Sequence, residues 1–291
     1  MERSQATGIT VILRKLLLKY CRRKIGFKIL QENTICFSDW KDTMDKKSVL
    51  ITGGTSGIGL AAARMFLDKG FLVTIVGRSE QKGRNALEQL GNRDTVQFLR
   101  ADVKVPEECR HAAEEAEKHW GRIDCLVNSA GVYLEEAAED LSEESYSVVM
   151  DTNLKGTMFM TSLLLPVLRR FKGNIVNVSS DAGLHGNYGC SLYCASKGAV
   201  TLYTKAVALE AGHYGVRVNC VCPGDILTPL TEKQLENEPS REDALNEMAS
   251  VYPLGKIGTV EQAAAVVVFL ASEEAGFVTG AAWSVDGGIT A

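Results

Sequence analysis

Seven short apolar segments, separated by stretches of helical length, constrain the fold of this chain more than any other feature. They are SVLIT (48–52), FLVTIV (71–76), TVQFLRAD (95–102), IDCLVNSAG (123–131), NIVNVSS (174–180), VRVNCVCPG (216–224) and AAWSVDGG (281–288). Continuous apolar strands that alternate with helices are typical of parallel sheets covered on both faces. The sequence therefore predicts an α/β fold with a seven-stranded parallel sheet.

The intervening segments predict the helices that cover this sheet. Helical patterns run from Ala61 to Lys69 and around 80–90, begin again at Pro106, and continue over roughly 143–170, 191–212 and 260–271. No internal repeat or low-complexity linker separates them. We therefore expect a single domain over residues 44–291.

Residues 1–43 form a basic and apolar N-terminal extension. They contain nine Lys or Arg and four Asp or Glu, and charges interrupt the apolar residues too often for a bilayer span. Three interpretations are open: an amphipathic helix for targeting or membrane-surface binding, an interaction tail, and a non-native extension. We favour the last, because Met44 stands four residues before the first strand.

Charge and cysteine content argue against two kinds of site. The formal net charge of −4 gives no reason to expect nucleic acid as a partner. Eight cysteines are present, but no pair has the spacing of a zinc knuckle. We expect no metal, no stable membrane insertion, and mostly buried, reduced thiols in a cytoplasmic protein.

A glycine-rich turn, TGGTSGIG, joins the first strand to the first helix. Gly53, Gly57 and Gly59 let a ligand approach the backbone closely, and the helix N-terminus offers free N–H groups and positive potential. A glycine-rich connection without a ligand is the alternative, which the strand–turn–helix context disfavours. The sequence thus predicts a Rossmann-type, doubly wound sheet with helices on both faces and a bound dinucleotide.

The glycine spacing G-x-x-x-G-x-G and four later motifs resemble the short-chain dehydrogenase/reductase family over residues 46–290. The later motifs are Asn128-Ser129-Ala130-Gly131 for the family's NNAG, Asp102-Val103, Pro223-Gly224 with Thr228, and Val285 to Gly288. Ser129 departs from the family's second Asn. The resemblance implies a nicotinamide dinucleotide bound by Gly53, Thr55, Ser56, Gly57, Ile58, Gly59, Arg78, Ser79, Asp102, Val103, Asn128, Ala130, Gly131, Tyr193, Lys197, Pro223, Gly224, Ile226 and Thr228.

The end of the second strand indicates which dinucleotide is used. A carboxylate there would accept a hydrogen bond from the ribose 2′-OH of NAD, whereas a basic side chain would pair with the 2′-phosphate of NADP. This chain has Arg78 and no carboxylate at that point. Arg78 favours NADP(H); NAD(H), with Arg78 as a solvated surface residue, is the alternative.

Three Tyr-x-x-x-Lys pairs are candidates for proton transfer, because residues four apart share a helix face. A neighbouring Lys and the charged nicotinamide would lower the pKa of a phenol that is otherwise about 10. Tyr20/Lys24 lies in the extension, and Tyr252/Lys256 encloses a proline and a glycine. Tyr193/Lys197 alone follows the fifth strand of the dinucleotide fold, so we predict Tyr193 as the proton-transfer residue.

The family resemblance assigns a role to each residue of this constellation. Tyr193 exchanges a proton with the substrate oxygen, and Lys197 tunes Tyr193 and binds the nicotinamide ribose. Ser180, thirteen residues before Tyr193, donates to the substrate oxygen. Asn153, in MDTNLKGT, holds a water of the proton relay. Ser179 rivals Ser180, although strand alternation allows only one of them to face the site.

The substrate is less constrained by the sequence. His185 and Tyr188 are candidate substrate contacts, and residues 225–254 resemble the family's substrate lid. Its apolar residues either line a pocket for a hydrophobic ketone or pack an amphipathic helix: Ile226, Leu227, Leu230, Leu235 and Met248.

The resemblance implies an oxidoreductase that interconverts a ketone and a secondary alcohol. We expect an apolar substrate such as a hydroxysteroid or bile acid, with a 3-oxoacyl thioester as the alternative. A non-catalytic dinucleotide sensor is the alternative from a different class, but such a protein should have lost part of the constellation. The family also suggests a homotetramer.

Overall fold

The computed structural model describes residues 46–236 and 238–291. The expectations for residues 1–43 lie outside the described residues. Within the described ranges, no helix is both long and apolar enough to cross a membrane.

Seven strands form one sheet in the order β3-β2-β1-β4-β5-β6-β7. Every neighbouring pair is parallel. The strands are Ser48–Thr52 (β1), Leu72–Gly77 (β2), Val96–Arg100 (β3), Cys125–Asn128 (β4), Asn174–Val178 (β5), Arg217–Pro223 (β6) and Ala282–Val285 (β7). The predicted seven-stranded parallel sheet is confirmed.

Helices cover both faces of the sheet. They are Gly57–Asp68 (α1), Glu80–Gln89 (α2), Pro106–Trp120 (α3), Glu143–Met150 (α4), Gly156–Phe171 (α5), Ser191–Gly212 (α6), Pro229–Leu235 (α7), Arg241–Ser250 (α8) and Val260–Ala271 (α9). One buried cluster joins the sheet to α3, α5 and α6, and a second joins the other face to α1, α2 and α9. This two-sided burial explains why the strand segments are apolar throughout.

The helix predicted over roughly 143–170 is divided by a π-helical turn, Asp151–Lys155. The turn holds Asn153, which is 1% exposed. π-Helical turns within α-helices are often found at functional sites. The sequence pattern did not reveal this turn, because periodicity over a long helix hardly changes when one residue is added.

The carboxyl ends of β1, β4, β5 and β6 meet at one edge of the sheet. The strand order reverses between β1 and β4, because β2 follows on one side and β4 on the other. In doubly wound sheets, ligands bind at this edge, beside such a reversal. The glycine-rich turn follows β1, and the segment containing Ser180 follows β5.

Candidate active site

Ser180, Tyr193 and Lys197 come together beyond the carboxyl end of β5. Tyr193 and Lys197 lie one turn apart on α6, with Lys197 Nζ 5.7 Å from the centre of the Tyr193 ring. Lys197 Nζ donates to the carbonyl oxygen of Val178 at 2.9 Å. The Ser180 hydroxyl lies close enough to the Tyr193 hydroxyl to lower the pKa of the phenol. The arrangement puts a phenol, an ammonium group and a hydroxyl around one point.

Ser179 and Ser180 face different surroundings. Ser179 Oγ donates to the carbonyl oxygen of Lys197 at 2.9 Å and lies 2.7 Å from Thr201 Oγ1. Both partners belong to α6, so Ser179 anchors that helix to β5. The structure therefore leaves Ser180 as the hydroxyl that faces Tyr193.

Asn153 connects the loop after β4 to α6. Its Nδ2 donates to the carbonyl oxygen of Val132 and to Ser196 Oγ, each at 3.0 Å, and its Oδ1 accepts from the Val132 N–H at 2.8 Å. Ser196 Oγ in turn donates to the Tyr193 carbonyl oxygen at 2.8 Å. Asn153 thus stands beside the helix that carries Tyr193, while its role in a water relay stays a prediction.

Burial sets the ionisation of the central pair. It raises the pKa of Tyr193, the nearby Ser180 hydroxyl lowers it, and the charges of Asp181 and Asp225 raise it further. Burial also lowers the pKa of Lys197 to about 8. A cationic nicotinamide beside Tyr193 would favour its phenolate form.

Lys197 is expected to make the stability of the cofactor-free protein depend on pH. Its pKa is lower in the folded protein, about 8, than its ordinary 10.5. The unfolded chain therefore binds more protons between these values, and the stabilising contribution of Lys197 relative to Met should rise with pH across that window, by at most about 3 kcal/mol. Urea unfolding of wild type and of Lys197→Met gives the difference in their free energies of unfolding. It should be measured from about pH 7.5 to about pH 10.5, the window between the two pKa values.

Lys205→Met, at an exposed position on the same helix, is the matched control. Its difference from wild type should stay flat with pH. A flat difference for Lys197→Met as well would show that Lys197 is not held in a desolvated state.

The turn after β1 fits a dinucleotide phosphate. Gly53 has φ +66°, and a Cβ there would lie 2.8 Å from backbone atoms of Ala130, while a Cβ at Gly59 would lie 2.5 Å from the carbonyl oxygen of Gly53. Ser56, the N-cap of α1, makes no side-chain capping bond, and the first turn of α1 has no acidic residue. The N–H groups of that turn are therefore left for an anion.

The other predicted cofactor residues surround this turn. Thr55 packs on Gly77 at the end of β2, and Thr228, the N-cap of α7, stands 3.5 Å from the Cβ position of Gly57. Ala130 N–H donates to Thr52 Oγ1 at 3.3 Å. Arg78 is exposed and forms no ion pair with any described residue.

Further predicted residues also make local contacts. Ser79 caps α2, Asp102 Oδ1 accepts from the Lys104 N–H at 3.0 Å, and Val103 packs against the position of Gly156. Five more lie at the same carboxyl edge or in the glycine-rich turn and the first turn of α1: Ile58, Gly131, Pro223, Gly224 and the buried Ile226.

Two of the predicted site residues have side chains with other surroundings. Asn128 is 3% exposed, and its Nδ2 donates to Thr161 Oγ1 and Asn177 Oδ1. Its side chain therefore holds β4 to β5 and α5 and is not directed at a cofactor. Tyr188 is fully exposed, and its part in substrate contact stays a prediction. His185 remains near the site, with Nε2 3.3 Å from Asp181 Oδ2.

Three further residues border Tyr193 that sequence reasoning missed. Tyr133 packs edge to face on Tyr193, with ring centres 5.0 Å apart. Asp181 Oδ1 accepts the Ser180 hydroxyl at 2.7 Å, and Asp225 lies close enough to affect the Tyr193 pKa. Each comes shortly after a motif residue at the carboxyl end of β4, β5 or β6. That position in the sequence could have identified them as site residues.

The segment predicted as a lid contains α7 and α8. Leu235 is buried, whereas Leu227 and Leu230 are exposed, and α8 has no buried residue. Some of the apolar residues of this segment are therefore packed and others form an open apolar surface. Neither the pocket for a hydrophobic ketone nor the packing of an amphipathic helix accounts for all of them.

Comparison with known proteins gives consistent matches. A family model described as enoyl-(acyl carrier protein) reductase matches residues 53–290. L-fucose dehydrogenase of Bos taurus is 41% identical over 243 residues, covering 83% of this chain and 88% of that protein. A 3-oxoacyl-(acyl-carrier-protein) reductase of Thermotoga maritima is 38% identical over 249 residues, covering 84% and 98%.

A solved structure extends the likeness to three dimensions. A variant of the actinorhodin polyketide ketoreductase with NADPH matches with a TM-score of 0.81 and 32% identity, covering 84% of this chain and 98% of that chain.

Proposed function

Because this chain belongs to the short-chain dehydrogenase/reductase family, we propose that it interconverts a ketone and a secondary alcohol with NADP(H), using Tyr193 as the proton-transfer residue. It is an oxidoreductase of CH–OH and C=O groups that uses a nicotinamide dinucleotide and a small-molecule substrate. The observation that carries the proposal is the meeting of Tyr193, Lys197 and Ser180 beside the glycine-rich turn.

A bound nicotinamide would supply or accept the hydride at the reacting carbon, and the residues around it handle the proton. Tyr193 gives a proton to the carbonyl oxygen in reduction and takes it from the hydroxyl in oxidation, so that hydride and proton together convert ketone to alcohol. Ser180 turns its hydroxyl from Asp181 to the substrate oxygen. Lys197 favours the phenolate and binds the ribose, and Asn153 holds the relay water.

The preference for NADP(H) rests on Arg78. Its exposed guanidinium, free of ion pairs in the described chain, suits a 2′-phosphate. Arg78→Asp should lower the ratio of kcat/KM for NADPH to that for NADH by about 10- to 100-fold, since a hydrogen bond to a charged group contributes roughly 1.5–3 kcal/mol. Steady-state kinetics with both cofactors measure this ratio.

Arg110→Asp, an exposed charge reversal on α3, should leave that ratio unchanged. A wild-type enzyme that prefers NADH would overturn the assignment.

Two substrate classes compete. The Thermotoga maritima relative favours a 3-oxoacyl thioester, whereas the exposed Leu227 and Leu230 support an apolar substrate such as a hydroxysteroid. The enoyl reduction named by the family model fits less well, because the Tyr–Lys spacing is longer in the family's enoyl reductases.

The expected homotetramer stays a prediction. The family resemblance assigns α6 to the interface, and its exposed side includes Leu202 and Leu209. Exposed leucines in one helix are suited to burial against a second copy.

A further inference from the structure

The ring of Tyr133 lies against the ring of Tyr193, the proposed proton-transfer residue. Their centres are 5.0 Å apart and their planes meet at 75°, which is an edge-to-face contact. Aromatic pairs favour this geometry, and the contact adds to the stability that burial of the rings provides. Tyr193 lies on α6, whereas Tyr133 lies in the loop after β4. The Tyr193 ring therefore has an aromatic neighbour that comes from a different element.

Tyr133 is held in place by contacts on both sides of it in the chain. On one side, the Val132 N–H donates to Asn153 Oδ1 at 2.8 Å, and the Val132 carbonyl oxygen accepts from Asn153 Nδ2 at 3.0 Å. On the other side, the Glu136 N–H donates to the carbonyl oxygen of Gly189 at 2.8 Å. The loop is thus attached to the π-helical turn and to the segment that leads into α6, with Tyr133 between the two attachments.

The Tyr133 hydroxyl is attached to the start of α6, the helix that carries Tyr193. It lies 3.0 Å from Sγ of Cys190, which is the N-cap of α6 and is 5% exposed. The same hydroxyl donates to Glu135 Oε2 at 3.3 Å. Burial raises the pKa of Tyr133, and the Cys190 thiol and the Glu135 carboxylate raise it further, so Tyr133 stays a neutral phenol. Tyr133 is therefore placed to orient its neighbour and not to exchange a proton.

We propose that Tyr133 is a positioning residue that holds the Tyr193 ring, and with it the phenol oxygen, in the orientation that proton transfer needs. The inference rests on the proposed function. Proton transfer requires the two oxygens to lie within hydrogen-bonding distance, and a misplacement of about 1 Å costs about 100-fold in rate. Loss of the Tyr133 ring should therefore slow the chemical step without weakening the binding of cofactor or ketone.

The first test replaces Tyr133 by Leu and by Phe, with acetoacetyl-CoA, cyclohexanone, androstenedione and D-fructose as ketone probes. Tyr133→Leu removes the ring, so kcat should fall about tenfold, the upper end of what aromatic pairs contribute. KM and the Kd of NADPH should stay within about twofold of wild type, because the contact orients Tyr193 and binds neither ligand. Tyr133→Phe keeps the ring and should keep kcat within about twofold of wild type.

The second test repeats Tyr133→Leu in a Tyr193→Phe background and separates positioning from a general structural effect. A residue that acts by placing the Tyr193 oxygen has nothing to place once that oxygen is gone. The fall in kcat should therefore shrink from about tenfold in wild type to less than about twofold in Tyr193→Phe. Tyr146→Leu makes the same change at an exposed position on α4 and should leave kcat unchanged in both backgrounds.

Equal falls in kcat in the two backgrounds would overturn the inference, and so would an unchanged kcat in Tyr133→Leu. A raised KM at unchanged kcat would make Tyr133 a substrate contact instead, and loss of NADPH affinity would make its role structural. A fall in Tyr133→Phe as large as that in Tyr133→Leu would overturn the role of the ring. All these results leave the proposed function intact, because wild type still reduces its ketone. No turnover of any probe by wild type with either nucleotide would overturn the proposed function, and the inference with it.

Discussion

Replacing Tyr193 by Phe is expected to lower kcat by about 100- to 10,000-fold, the usual contribution of a positioned general acid or base. The substitution removes one oxygen and keeps the ring that packs on Tyr133. NADPH affinity should stay within a few-fold of wild type, because the glycine-rich turn and Lys197 are unchanged. NADPH oxidation followed by absorbance measures turnover, and fluorescence titration measures cofactor affinity.

Tyr146→Phe is the matched control, since Tyr146 is exposed on α4 and has no assigned part in the proton transfer. Its kcat should equal that of wild type. Tyr193→Phe with near-normal kcat and normal NADPH affinity would remove Tyr193 from proton transfer, and the Ser180 hydroxyl would then be the next group to test.

Most of the architecture could be predicted because its signals are local or repeated along the chain. A short apolar run between helices is most stable as a strand of a sheet covered on both faces, which made the strands predictable. The glycine-rich turn was predictable because it follows β1 directly in the sequence. The same reasoning separates Tyr193 from the other two Tyr-x-x-x-Lys pairs, because only Tyr193/Lys197 lies on the helix directly after the fifth strand. In the structure, Tyr252 of the Tyr252/Lys256 pair is buried, and its hydroxyl accepts a hydrogen bond from the Asp225 N–H.

What the sequence could not supply depends on the direction of side chains over long separations. Asn128 lies in a motif assigned to the cofactor, yet its amide bonds to Thr161 and Asn177, 33 and 49 residues away. Asp181 and Asp225 are 44 positions apart in the sequence, and they follow neighbouring strands only because β5 pairs with β6. Spacing along the chain carries no signal for such neighbours, so the two carboxylates that act on Tyr193 emerged only from the folded structure.

Replacing Gly59 by Ala is expected to weaken NADPH binding by about 5- to 150-fold, through a cost of about 1–3 kcal/mol for overpacking. The added Cβ would lie 2.5 Å from the carbonyl oxygen and 2.9 Å from the carbonyl carbon of Gly53, both backbone atoms. Backbone cannot rotate away as a side chain does, so α1 must move off the turn. The N–H groups at the N-terminus of α1 then move out of hydrogen-bonding distance of the phosphates.

Gly212→Ala makes the same change in a helix where a Cβ would meet nothing within 4 Å. Because Ala is the better helix former by about 1 kcal/mol, Gly212→Ala should leave NADPH binding unchanged and keep or slightly raise stability. Gly59→Ala makes the same gain in helix propensity. Any loss of NADPH affinity or of thermal stability in that variant is therefore due to the contact with Gly53. Calorimetric titration with NADPH and thermal unfolding of both variants measure the contrast. If Gly59→Ala bound NADPH as tightly as Gly212→Ala does, close packing of α1 on the turn would not be what shapes the phosphate site.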